Sequence, residues 1–193
     1  GARVLIADEQ NELGGQLLGN HEHIDGGPGS EWVNEVGAEL ATLENVRVLT
    51  RTTVFGYYSH NFLGLLERCS DHLPPGSGVG PRQRLWRVRA KQVVLATGAI
   101  ERPLVFANND RPGVMLASAV SMYVNRYAVT PGSRTVVFTN NDSAYATAFD
   151  LADVGETVAA IVDARHQPRN ELMTAARERN IQVIHGHVVV DVN

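Results

Sequence analysis

An α/β fold built on parallel βαβ units is what this sequence predicts, and three observations carry the prediction. Arg3–Ala7 and Val93–Ala96 are continuous apolar runs rather than alternations, as in strands buried on both faces. Arg134–Phe138 and Thr157–Val162 repeat the pattern, with helical spacing of apolar residues between them. Each run ends in small or polar residues (Asp8-Glu9, Thr97-Gly98, Thr139-Asn140-Asn141, Asp163), at the carboxyl end where a parallel sheet takes its ligands.

The 193 residues suffice for one large domain or two small ones. A 44% hydrophobic and 20% charged composition is that of a soluble globular protein with a sizeable core. The net charge of −4, with no basic stripe, argues against a nucleic-acid partner. Cys69 is the one cysteine, which excludes an internal disulfide and a redox-active Cys-x-x-Cys pair and fits a reducing, cytoplasmic compartment. No apolar stretch approaches the ~20 residues of a membrane span. The amino terminus lacks a signal-peptide layout and starts almost inside a strand, so the chain is expected to be a piece of something longer.

In order, the first strand ends at Asp8-Glu9. An acidic residue at the end of the second strand of a dinucleotide-binding βαβ unit accepts hydrogen bonds from ribose hydroxyls. Gln10 and the Leu13-Gly14-Gly15-Gln16 turn follow at the offset expected of that strand. Gly19–Ser30 is rich in Gly, Pro and His and predicts a loop. Its His21-Glu22-His23 lacks the third ligand a zinc site needs and is expected to face solvent. Ser30–Leu43 predicts a helix capped by Ser30, with Val33, Val36, Leu40 and Leu43 at helical spacing. Asn45–Leu49 predicts a strand. The β-prone runs Thr53–Tyr58, Phe62–Arg68 and Leu85–Arg89 predict a three-stranded antiparallel meander inserted at about 52–90. The aromatics of Phe55-Gly56-Tyr57-Tyr58 are read as packing groups. Lys91–Gly98 is expected to return the chain to the main sheet, Gly98 permitting a positive φ at the corner.

The second half predicts a helix at Ser118–Tyr127, a strand at Arg134–Phe138, a helix through about Val154, a strand at Thr157–Val162, a helix at Asn170–Arg179 and one or two further strands in Gln182–Asn193. Thr139, Asn140 and Asn141 stand where a dinucleotide turn usually has three glycines, and their side chains keep a diphosphate off the backbone. This second site is therefore expected to be vestigial, with Asp163 a relic or a surface acid. The domains expected are 1–116, a first dinucleotide-binding domain lacking its opening strand, and 117–193, a second, degenerate and incomplete one. Together they make a three-layer Rossmann-like FAD/NAD(P)-binding fold.

Several stretches narrow this further. Thr53-Val54-Phe55-Gly56-Tyr57-Tyr58, the segment from Arg84-Leu85-Trp86 through Val93-Val94-Leu95-Ala96-Thr97-Gly98-Ala99-Ile100-Glu101-Arg102-Pro103, Asn108-Asn109-Asp110-Arg111-Pro112-Gly113-Val114-Met115 and the Thr139-Asn140-Asn141-Asp142 turn closely resemble the α-subunit family of heterotetrameric sarcosine oxidase. The resemblance covers essentially the whole chain but only the middle of a much longer subunit. It leaves out a β-grasp-like domain before this region and a tetrahydrofolate-binding domain after it. It implies an oxidoreductase that demethylates sarcosine to glycine with hydrogen peroxide and, with tetrahydrofolate, 5,10-methylenetetrahydrofolate. FAD and FMN belong to the full complex, the partners being the β, γ and δ subunits. This segment would hold an NAD that does not turn over. By the resemblance, Asp8 and Glu9 would hold the adenosine ribose with Gln10 beside them. Gly14, Gly15 and Gln16 would approach the diphosphate, and Val54 would meet adenine through its backbone. Thr97 and Gly98 would close over the nucleotide, and Arg102 would contact phosphate. No catalytic residue and no metal ligand is expected here.

Two readings compete: a scaffold module whose nucleotide site has decayed, and a related FAD/NAD-dependent amino-acid or opine oxidase component. A nicotinamide-dependent disulfide reductase is disfavoured by the missing Cys-x-x-Cys. In the expected fold one central strand, pairing with both Arg3–Ala7 and Val93–Ala96, would come from upstream sequence. Its absence removes about five apolar side chains at ~1.5–3 kcal/mol each, against a whole-domain stability of ~5–15 kcal/mol. This chain alone is thus expected to fold poorly or to self-associate through an exposed edge, and to hold NAD weakly. Sedimentation and thermal melting test this, and a cooperatively melting monomer would contradict it.

Overall fold

The computed structural model describes residues 1–193 and divides into two units, Gly1–Leu17 with His21–Gly98 and Leu18–Asn20 with Ala99–Asn193. The division falls at Gly98/Ala99, ahead of the 116/117 boundary expected from sequence.

The first unit opens with β1 (Val4–Ala7) and a 3-10 turn at Gly15–Leu18. The loop that follows contains a two-residue hairpin, β2 (His23–Ile24) with β3 (Gly27–Pro28), leading into α1 (Gly29–Thr42). Ser30 lies inside α1 and does not cap it; the cap position is Pro28, whose fixed φ suits a helix entry. Gly29 donates its N–H to Glu22 O, and this bond moves the helix start ahead of the expected one. The strand β4 (Val46–Leu49) lies parallel to β1 with Val4 opposite Val46 and Ala7 opposite Leu49. The antiparallel sheet β5 (Thr52–Tyr58), β6 (Phe62–Arg68) and β7 (Gln83–Arg89) follows at the expected place. Its first hairpin turns through Ser59, His60 and Asn61, the last two at positive φ. Leu49, Leu63 and Leu65 form the buried centre of this unit, with Leu5, Ala7, Trp86, Val88 and Val93 against it.

One expectation fails here. Val93–Ala96 is not a ladder strand: only Val93 packs into the core, while Val94 is 88% exposed. Here β1 pairs only with β4, and no strand of this chain pairs with the apolar run.

The second unit has α2 (Ala117–Tyr127), β8 (Arg134–Thr139), α3 (Ser143–Asp153), β9 (Thr157–Asp163), α4 (Asn170–Glu178) and β10 (Val183–His185). The three strands form a parallel sheet in the order β10-β9-β8, the βαβ pattern read from the sequence. Beyond β10 a single parallel bridge joins Ala107 to Asp191. Glu101 caps α2 from a distance in sequence, Oε2 accepting the Ser118 N–H at 2.7 Å and Oε1 that of Ala117 at 3.3 Å. The core comprises Val120, Val124, Val137, Tyr145, Ala148, Leu151, Ile161, Ala176 and their neighbours. Leu151 is wholly buried there. Truncation by Leu151→Ala is expected to cost about 2–5 kcal/mol, read as faster native-state hydrogen exchange of the β8 and β9 amides.

Candidate functional site

Two carboxylates end parallel strands in this chain, Asp8 after β1 and Asp163 at the end of β9, and their surroundings differ in kind. Asp8 is half-buried. Its backbone is fixed on both sides, the N–H donating to Leu49 O at 3.0 Å and the carbonyl accepting from Thr52 N–H at 2.8 Å. Its carboxylate accepts a single protein hydrogen bond, from the Gln10 N–H to Oδ1 at 2.8 Å. Oδ2 is open, and a carboxylate offers about four acceptor sites in all.

The loop beyond Asp8 is tied to the meander. The Arg51 N–H donates to Gln10 O at 2.6 Å and Arg68 Nη2 donates to Glu9 O at 3.1 Å. The side chains of Glu9 and Gln10 remain exposed. Gly14 and Gly15 take φ of 127° and 54°, the left-handed side that favours glycine. Gly15 faces open space, and Gln16 is exposed in the first turn of the 3-10 helix. Val54 lies in β5, an edge strand whose ladder with β6 shifts register between Val54 and Gly56. The structure therefore brings Asp8, Glu9 and Gln10 to the start of β5, two residues before Val54. Thr97 and Gly98, the latter at φ 66°, stand exposed on the unpaired ribbon and share no hydrogen bond with Asp8 or Val54. Arg102 is exposed in the second unit. His21-Glu22-His23 gathers no metal-ligating cluster.

Asp163 corrects the expectation of a surface acid: it is 0% exposed. Oδ1 accepts the Arg165 backbone N–H at 2.9 Å and Nε at 3.0 Å. Oδ2 accepts the Tyr145 hydroxyl at 2.9 Å and Arg165 Nη2 at 2.8 Å. All four acceptor sites are filled from within the unit. Arg165 also reaches Asp142 Oδ1 at 2.7 Å, and Arg169 lies 3.2 Å from Asp142 Oδ2. Burial alone would push the Asp163 carboxyl up, but the Arg165 donors and the Tyr145 hydroxyl outweigh it and hold it below the usual carboxylate range. Burial and then the Asp163 charge push the Tyr145 hydroxyl up, and the same carboxylate raises Arg165.

The turn between β8 and α3 is equally self-contained. Thr139 Oγ1 accepts the Asn141 N–H at 3.1 Å and donates to Asn141 O at 3.0 Å. Asn141 Oδ1 accepts the Ser143 N–H at 3.0 Å and its hydroxyl at 2.7 Å. The Asn141 and Ser143 backbone donors, of the kind a glycine turn would aim at phosphate, are spent locally. Sequence reasoning singled out the turn and Asp163 but missed Arg165 and Tyr145. The Asp163-Ala164-Arg165 spacing was a signal for the first; nothing local marked the second.

Asp163→Asn is expected to cost about 1–3 kcal/mol at neutral pH by leaving Arg165 short of acceptors. Because the folded carboxyl titrates below its unfolded value near 3.9, the wild-type advantage is present above about pH 4 and fades as pH falls through the lower folded value. Urea midpoints of both proteins, followed by circular dichroism from pH 7 to pH 3, should converge only at the acid end.

No family model matches the chain. It is 50% identical over 197 residues to the alpha subunit of sarcosine oxidase from Corynebacterium sp. (strain P-1), covering 99% of this chain and 20% of that protein. The protein of the same name from Rhizobium meliloti (strain 1021) is 47% identical over 165 residues, 86% of this chain and 17% of its own. The chain thus spans about a fifth of the length of the relatives it matches. Among solved structures, L-proline dehydrogenase from P. horikoshii superposes with a TM-score of 0.57 at 22% identity, over 94% of this chain and 30% of that one. A FAD-dependent pyridine nucleotide-disulphide oxidoreductase from Desulfovibrio vulgaris gives 0.60 at 13% identity, over 98% and 46%. At such identities the likeness is one of fold, and it bears out the Rossmann-like α/β class read from the sequence. Across 99% of its length this chain is a homologue of one segment of the sarcosine oxidase α subunit.

Proposed function

We propose that this chain is the nucleotide-holding segment of a sarcosine oxidase α subunit, and that its first unit binds NAD as a resident cofactor that does not turn over. The observation that carries this is the contrast between the two strand-end acids. Asp8 keeps an oxygen open where a ribose hydroxyl can donate, whereas Asp163 has none. In this reading Asp8 and Glu9 take the ribose hydroxyls and Gln10 flanks them. Gly14, Gly15 and Gln16 lie on the diphosphate side, where Gly15 leaves open space for close backbone approach. Val54 offers backbone groups of an edge strand to the adenine rim. Thr97 and Gly98 cover the nucleotide. The residues present fit the adenosine half best, since that is where the chain holds its acceptors in place.

The catalytic work is assigned to the larger assembly. There the β, γ and δ subunits, with bound FAD and FMN, would oxidise sarcosine to glycine with release of hydrogen peroxide, and tetrahydrofolate would take the one-carbon unit. In that scheme the resemblance assigns no residue of this chain the part of a base or of a flavin attachment point. Similarity to an opine oxidase component of Agrobacterium tumefaciens (strain Ach5), 28% identical over 175 residues, supports a neighbouring alternative in which the amine substrate differs and the nucleotide role is retained.

In the full-length protein, Asp8→Ala and Asp8→Asn are expected to weaken NAD retention by about tenfold or more, equivalent to ~1.4 kcal/mol or more. NAD released by acid and assayed enzymatically measures this. The Asn variant keeps the acceptor for Gln10 N–H and so separates ribose binding from loop geometry. Asp163→Asn should leave NAD content unchanged. Undiminished NAD in both Asp8 variants would refute the ribose role, and loss of NAD in the Asp163 variant would overturn the assignment of the site to the first unit.

A further inference from the structure

We propose that the outward face of the β5–β6–β7 sheet is a docking surface for a neighbouring subunit, one that presents carboxylates around an apolar side chain. This rests on the reading that the chain works within a multi-subunit oxidase.

Directly opposed residues of antiparallel strands share a face. The register puts Tyr58, Phe62 and Arg89 on one row, Gly56, Gly64 and Arg87 on the next, and Thr53, Leu66 and Leu85 on a third. The other face sends Leu63, Leu65, Trp86 and Val88 into the core. A sheet with one face buried usually carries polar residues on the other. Here the outer face carries exposed apolar side chains: Phe55 is 55% exposed, Tyr58 53% and Leu85 60%.

The rings are held before any partner arrives. A Cβ on Gly64 would come within 2.6 Å of Phe55 Cζ, and one on Gly56 would collide with the Tyr58 ring, so each aromatic packs over bare backbone. The Tyr58 and Phe62 ring centroids are 5.9 Å apart. Such pre-ordering lowers the entropy lost on binding.

Charge completes the pattern. Arg82 is paired with Asp71 and Arg84 with Glu67, but no carboxylate lies within ion-pair distance of Arg87 or Arg89. The three rows of the outer face carry no acidic residue, in a chain whose net charge is −4. Aromatics with arginine, and no lysine or acid among them, make up the centres of protein interfaces. Charge along an edge strand also deters stray strand pairing, but that role requires no aromatic row beside it. Two unpaired guanidiniums flanking apolar rings call for carboxylates around an apolar group on the partner.

The test uses the full-length protein, free and assembled. Hydroxyl-radical footprinting of Phe55, Tyr58 and Leu85 should find them reactive in the free monomer and protected in the assembly. The double variant Arg87→Glu/Arg89→Glu should weaken affinity for the partner by about tenfold or more, and Arg87→Lys/Arg89→Lys by no more than about threefold, each factor of ten being ~1.4 kcal/mol. The melting temperature of the free monomer should be the same for all three proteins. Protection already present in the free monomer would overturn the proposal by showing that the rest of its own chain covers the face. Self-association of the free protein that is lost in the Glu variant would overturn it in favour of a second copy. Normal assembly with unchanged affinity in the Glu variant would remove the docking face alone, whereas a wild-type protein that joins no assembly would remove the multi-subunit reading as well.

Discussion

Asp163 ends β9 with both oxygens taken, two bonds at Oδ1 and two at Oδ2, and the second unit is arranged around keeping them so. A buried carboxylate without partners would cost several kcal/mol or take up a proton. The unit answers with a guanidinium two residues on and a hydroxyl from the first turn of α3. Those bonds tie the end of β9 to the start of α3, and Asp142 holds Arg165 from the other side. The same saturation that secures the fold removes the acceptors a ribose needs. Stability and nucleotide binding compete for the same lone pairs, and here stability has taken them.

Asp8 meets the opposite condition. Backbone bonds to Leu49 and Thr52 fix its position, and of its carboxylate only Oδ1 is engaged, by the Gln10 N–H. On the proposed reading, a carboxylate held in place by its main chain and left with one oxygen open meets a ligand at little further ordering cost. Within one chain, then, the same sequence feature, an acid closing a parallel strand, stands in two different settings. The difference lies in what the neighbouring residues donate.

The run beyond the meander is the other constraint of the first unit. Val94 and Leu95 are as apolar as any core strand, yet they are exposed and make no ladder bonds. Asn61 fixes where this ribbon begins, its Nδ2 donating to Lys91 O at 3.0 Å while its Oδ1 accepts the Tyr57 hydroxyl at 2.8 Å. Past that tether only Val93 finds the core. Hydrophobic periodicity states how a segment wishes to be buried. It does not supply the neighbour whose N–H and C=O groups would make it a strand.

The sequence by itself determined the α/β class, the βαβ repeat of the second half and the meander, because periodicities of 3.6 and 2 are local properties that survive any arrangement of the pieces. It also determined that the Thr139-Asn140-Asn141 turn differs from a glycine turn, since the loss of glycine is visible in the letters alone. Only the tertiary structure decided the fate of Asp163, because Tyr145 lies 18 positions away in the chain and comes to it through the packing of α3 on the sheet. It likewise decided that α1 starts at Gly29 through a bond to Glu22, and that Glu101 rather than an adjacent residue caps α2. Long-range hydrogen bonds depend on which elements become neighbours, and burial sets that for the chain as a whole, not for any one stretch of it.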